Sequence, residues 1–132
     1  MLYIVDPTSS ISQESAPFSF VGNRGPLHAG NRIVRHAREV DWLYCVTSAM
    51  DDPREFMSPG NFTELFFLDE ATALAAGHRP CAQCNRARFD QFVTFWKMAN
   101  GVDEVSAPEI DFTLQRHRVS ETGQVTYCAN AD

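Results

Sequence analysis

Short apolar runs alternate with polar, turn-forming stretches along this chain, and two hydrophobic periods can be separated in it. Positions 41–48, DWLYCVTS, put Trp42, Tyr44 and Val46 on one side and Leu43 and Cys45 on the other. That two-residue period predicts a strand. Residues 62–68 carry too many apolar side chains to leave a wet face, so a second strand is expected there. Residues 18–21 predict a third, ended by Gly22-Asn23, a pair that tolerates the backbone of a tight turn. A further short strand would end at His28. Residues 32–40 fit strand and helix equally.

Beyond residue 68 the period becomes helical. Asp69 is placed to cap a helix over 70–76, with Glu70 near its positive end. Gly77 stands where a left-handed residue closes a helix, and Pro80 prevents its resumption. From Asn85 the apolar positions Phe89, Phe92, Val93 and Trp96 share one helical face, which Asn100-Gly101 terminates. Ser106 or Ala107, just before Pro108, starts a third helix with Ile110 and Leu114 inward. A hairpin around Thr122-Gly123 would follow. The polar residues 6–17 read as a loose arm and 51–61 as a loop.

These elements predict an α+β fold: a small antiparallel sheet of 18–21, 42–47 and 62–67, with the helix after Cys84 laid against it. The expected organisation is an N-terminal arm, 1–17, and one domain, 18–132. Its core would be 18–97, with a helical extension over 98–132. At 132 residues, with ten Phe and two Trp, the chain can build a core of its own.

The formal net charge of −6 argues against a protein that coats nucleic acid. Seven of the eleven basic residues nevertheless fall in two windows, Arg24, Arg32, Arg35 and Arg38, then Arg79, Arg86 and Arg88. Ordinary solvated surface is one reading of them; a phosphate-binding face is the other. No apolar run approaches the roughly 18 residues a membrane span needs. The opening MLYIVDP has no basic flank, so it does not read as a secretory leader. A cytoplasmic compartment is expected, where thiols stay reduced.

That expectation matters for Cys45, Cys81, Cys84 and Cys128. Cys81 and Cys84 form a CxxC turn at the mouth of the second helix. Two thiolates so spaced can approach one soft ion, and zinc fits them best. A redox pair of the thioredoxin kind would want a βαβ frame, which is not evident here. Two unrelated buried cysteines are the remaining reading. Structural zinc takes four ligands. Cys45 leads the candidates for the third and His28 for the fourth, with His36 and Cys128 behind it. His78 lies too close to Cys81 in sequence to share the ion.

The stretch "FFLDEATALAAGHRPCAQC", and more weakly "FVGNRGPLH", resembles the Ada-type metal-binding domain, the zinc module of bacterial methylphosphotriester repair proteins and their relatives. The resemblance covers residues 62–97, extending weakly to 18. The longer phrase "TELFFLDEATALAAGHRPCAQCNRA" is similar to a group of bacterial proteins built on that module. The resemblance implies that Cys81 and Cys84 are the second ligand pair. It matches Cys45 to the cysteine of the first pair, and His28 to the histidine that some relatives use. Relatives place that histidine much closer to the cysteine, so residues 29–41 would be an insertion, or another residue such as His36 the ligand. With histidine at that position the methyl-accepting thiolate of the repair proteins is missing.

Two functions follow as expectations. The first is a non-catalytic zinc module that binds DNA, RNA or a protein through Arg24, Arg32, Arg35, Arg79, Arg86 and Arg88. The second is a zinc-dependent enzyme, either hydrolytic, with His28, His36, His78 and His117 near Glu64 and Asp69, or a thiolate alkyl acceptor. The chain has no HExxH, GxSxG or Walker-type glycine loop, and Asp69 reads better as a helix cap.

Overall fold

The computed structural model describes residues 2–14, 18–30, 32–46, 62–120 and 123–124. The strands in chain order are β1 (Leu2–Val5), β2 (Ile11–Glu14), β3 (Phe20–Asn23), β4 (His28–Ala29), β5 (Arg32–Ile33), β6 (Leu43–Val46) and β7 (Leu65–Phe67). Helix α1 (Glu70–Ala75), β8 (Arg79–Pro80), α2 (Arg86–Asn100) and α3 (Ala107–Arg118) follow, then the short pair β9 (Val119–Ser120) and β10 (Gly123–Gln124). The α+β expectation holds, but the sheet is larger than expected and it is mixed. Six strands run in the order β2-β1-β7-β3-β6-β8, with β1–β7 and β6–β8 parallel.

The expected N-terminal arm is partly sheet. β1 and β2 form an antiparallel hairpin with Val5 opposite Ile11, and Ile4 pairs with Phe66 of β7. The Asp6 carboxylate ties the turn by accepting from the Thr8 and Ser10 amides at 2.9 and 3.2 Å. β3 begins two residues later than expected and includes Gly22-Asn23, which are therefore strand and not turn. The loop expected at 51–61 lies outside the described residues.

Directly opposed residues share a sheet face, so the register sorts the side chains. Gly22 faces Tyr44 and Leu65, while Val21 faces Cys45 and Phe66. The Tyr44 face carries the core: Val5, Leu27, Tyr44, Leu65 and Phe67 pack with Ala73 and Ala76 of the α1 segment. All three residues of β7 are buried, as its unbroken apolar run implies. α1 starts as its sequence dictates, with the Asp69 carboxylate accepting from the Thr72 amide at 2.7 Å. It ends at Gly77, whose φ of 92° is left-handed.

Two buried electrostatic features complete the frame. Arg79 of β8 forms a two-pronged ion pair with Asp111 of α3, at 2.7 and 2.9 Å, with both side chains more than nine-tenths covered. In the second, Arg24 and Arg118 hold their guanidinium carbons 4.2 and 4.3 Å from the ring centre of buried Trp42. Arg24 is fully buried and donates to His78 Nε2 at 3.3 Å and to Ser9 Oγ at 2.6 Å. His78 must therefore be neutral, with its proton on Nδ1, to accept at Nε2. Burial, and then the charges of Arg24 and Arg118, hold its pKa well below the ordinary 6.5.

Both features generate predictions. Asp111→Ala would strand the Arg79 cation inside the fold, and the unfolding free energy should fall by about 3–5 kcal/mol in urea titration. A loss under about 1 kcal/mol would mean the pair behaves like an exposed one. For His78, the unfolded chain takes up the proton near 6.5 while the folded chain resists it. Its contribution is complete above that pH and drains away as pH falls toward the depressed folded value. His36 is shifted in the same direction, chiefly by burial. The thermal midpoint should therefore drop between pH 6.5 and 5, above the range where Asp6 and Asp69 titrate. A midpoint that stays flat until pH 4 would remove this account.

Candidate metal centre

Local pairing assembles the centre. The parallel β6–β8 register sets Leu43 beside Arg79 and Tyr44 beside Pro80. The next residues along, Cys45 and Cys81, leave the ladder side by side. Two backbone bonds lock this: Arg79 N donates to Trp42 O at 2.9 Å, and Cys81 N donates to Tyr44 O at 3.0 Å. Cys81 then opens a turn in which Asn85 N donates back to Cys81 O at 3.1 Å, returning Cys84 toward the strand ends. α2 starts on that turn, with Phe89 buried and Phe89 N bonded to Asn85 O.

The outcome is a group of three sulfurs, from Cys45, Cys81 and Cys84, all within 4.8 Å of one another. Cys45 and Cys84 are joined as a disulfide, with Cα atoms 6.3 Å apart, and Cys81 is a free thiol. Cys45 and Cys81 are half-buried and Cys84 is exposed. A cleft of about 210 Å³ opens beside Cys45 and Cys81, walled by Val21, Asn23, Leu43 and Phe62. Gly22 also lines it. A Cβ on Gly22 would collide with the Leu43 carbonyl, so glycine is what allows β3 and β6 to lie this close.

The donor set can hold a metal ion, because thiolates are strong ligands for soft cations and three of them converge. Of the four ligands expected from the sequence, Cys45, Cys81 and Cys84 come together and His28 does not join them. The His28 ring shares a 2.6 Å hydrogen bond between Nδ1 and Thr63 Oγ1, and the same hydroxyl accepts from the Leu27 amide at 2.7 Å. His28 thus serves the loop around β4. The reserve candidate His36 is likewise engaged: its Nε2 lies 2.8 Å from Arg24 Nη1 and 2.9 Å from the Ser9 carbonyl. Cys128 lies outside the described residues.

The expected arginine face also needs correction. Arg24 and Arg79 are buried, one on Trp42 and the other paired with Asp111, so neither is available to a partner. Arg32, Arg35, Arg86 and Arg88 are exposed. Two of these already face acids: Arg86 meets Asp90 at 3.0 Å and Arg88 meets Glu70 at 3.1 Å. The acids of the hydrolytic alternative stand apart from the sulfurs, since Asp69 caps α1, and Glu64 is buried outside the three-sulfur group. Gly22, which shapes the centre, was read from the sequence as a turn residue, and Asp111, which braces β8, was not singled out. Asp111 sits in an acidic run that reads as solvated surface, and no local signal sets it apart.

No protein-family model, no curated protein and no solved structure matches this chain.

Gly22→Ala tests the close approach directly. The added methyl should push β6 from β3 and cost about 1–3 kcal/mol, as overpacking does. Cys45 lies on the displaced strand, so its reactivity toward a thiol reagent in the reduced protein should change as well. Wild-type stability with unchanged reactivity would show that the strands can part without consequence.

Proposed function

We propose that this chain is a zinc-binding module in which the reduced thiols of Cys45, Cys81 and Cys84 hold one ion. The observation that carries the reading is the convergence of those three sulfurs from two strand ends and a helix entry. The residues fit the ion in two respects. Thiolate is the ligand class zinc prefers in structural sites, and ligands at a Zn–S length of about 2.3 Å stand about 3.8 Å apart in a tetrahedron. Mutual distances under 4.8 Å are compatible with that spacing once the Cys45–Cys84 bond is reduced.

Bound zinc would supply a cross-link and keep its ligands deprotonated. The chain's own residues do the remaining work. The β6–β8 ladder presents Cys45 and Cys81, and the turn before α2 presents Cys84. The role is non-catalytic, and the Ada-type resemblance of the segment around Cys81 and Cys84 belongs to the same reading. The partner is nucleic acid or a protein, met through the exposed Arg32, Arg35, Arg86 and Arg88. Arginine suits phosphate there through its planar fork of donors.

The test is elemental analysis of full-length protein purified under reducing conditions and then dialysed. Stoichiometric zinc is expected in wild type. It should be strongly depleted in Cys45→Ser, Cys81→Ser and Cys84→Ser, and fully retained in His28→Ala. Wild-type protein without zinc, taken from zinc-supplemented cells, would defeat the proposal.

A further inference from the structure

The disulfide does not join the two cysteines that sequence puts together. The CxxC neighbours Cys81 and Cys84 are the obvious couple, yet Cys84 is bonded to Cys45 of β6 and Cys81 is left as a thiol. The reason lies in the backbone. Cys81 is held in the ladder by its own amide on Tyr44 O, while Cys84 sits at the far end of a turn that folds back over the strand ends. Cys84 is exposed, whereas Cys45 and Cys81 are half-buried. An incoming reagent therefore meets Cys84 first, and Cys45 lies within bonding reach of it.

We propose that the three-cysteine centre is a thiol switch whose oxidised state is the Cys45–Cys84 disulfide and whose co-reactant is a low-molecular-weight disulfide. This rests on the zinc reading for its consequence, though not for its chemistry. The Cys84 thiolate attacks one sulfur of the small disulfide RSSR. A Cys84–SR bond forms, the S–S bond breaks, and one RS⁻ leaves. The Cys45 thiolate then attacks Cys84 Sγ, forming Cys45–Cys84 and expelling the second RS⁻. The two protein thiols lose two electrons and the small disulfide gains them, giving two thiols after protonation. This removes two of the three sulfur donors at once. Cys81 alone cannot retain the ion, so oxidation and metal release are one event. Cys81 keeps its thiol throughout, beside the apolar cleft and within 4.8 Å of both partners.

The experiment uses the full chain, reduced and zinc-loaded, titrated with oxidised glutathione. Released zinc is read with a chromogenic chelator. Free thiols are alkylated and the disulfides mapped by peptide mass spectrometry, which also separates Cys128 from the three. Zinc release should track appearance of the Cys45–Cys84 peptide pair, with Cys81 alkylated. Cys81→Ser should still form that bond, whereas Cys45→Ser should stop at glutathione attached to Cys84. A predominant Cys81–Cys84 product would overturn the switch, as would zinc that stays bound after Cys45 and Cys84 have joined. Reduced protein that never holds zinc would defeat the metal reading instead, and the peptide map would still decide which cysteines pair.

Discussion

The parallel pairing of β6 with β8 is the constraint on which the site depends. β8 is only two residues long, and its pairing with β6 is short. Such a ladder needs support from its flanks. Arg79 supplies it on one side, because its side chain is locked to Asp111 of α3 while its amide bonds to Trp42 of the chain beside β6. Pro80 adds a rigid φ at the next position. Cys81 is then delivered beside Cys45 with little freedom left. The centre is thus positioned by backbone register, and its sulfurs do not have to find one another.

Arginine in this protein is largely a structural residue. Arg24, Arg79 and Arg118 are buried, and each is held by different partners. Arg79 has a carboxylate. Arg24 has an aromatic face, two oxygens of Ser9, and neutral His78. Arg118 stacks on the same Trp42 and donates to Val40 O at 3.0 Å. Burial lowers the pKa of Arg24 and Arg118, but not far enough to discharge them at neutral pH. With two cations on one indole and Arg24 bonded to its ring, His78 is held neutral, so acid sensitivity of the fold is expected there.

The local parts of the fold were legible and the long-range parts were not. The Asp69 cap, the Gly77 stop and the end of α2 at Gly101, with φ 64°, are decided by residues within a turn of each other. The strands at 43–46 and 65–67 announce themselves by period and by continuous apolarity. By contrast, residues 11–14 read as linker because ISQE has one apolar side chain; its strand character comes from pairing with β1. β1 in turn reaches β7, distant in sequence, and no local pattern reports that the pair is parallel. The same limit applies to the centre. CxxC drew attention to Cys81 and Cys84, and the strand pattern to Cys45, but their pairing follows from register. His28 was read as a ligand because it matches the histidine that some Ada-type relatives use; in the fold, Thr63 engages its ring.

An ion held by the three sulfurs would tie the strand ends to the start of α2, a task that the apolar core would share. The structure supports a more local role. The core around Tyr44, Leu65 and Phe67 lies on the sheet face opposite Cys45. Tyr44 itself is anchored through its hydroxyl, which donates to Glu70 at 3.0 Å, and Glu70 also meets Arg88 of α2 at 3.1 Å. The β6–α1–α2 junction is therefore tied by side chains that contain no sulfur. Small zinc peptides, whose folding depends wholly on the ion, draw on the order of 10 kcal/mol from it. Here those side chains share the task, so an ion would add less to the fold than it does in such peptides. A centre whose frame is braced by contacts of its own can be opened and closed repeatedly, and that is the physical condition a reversible thiol site requires.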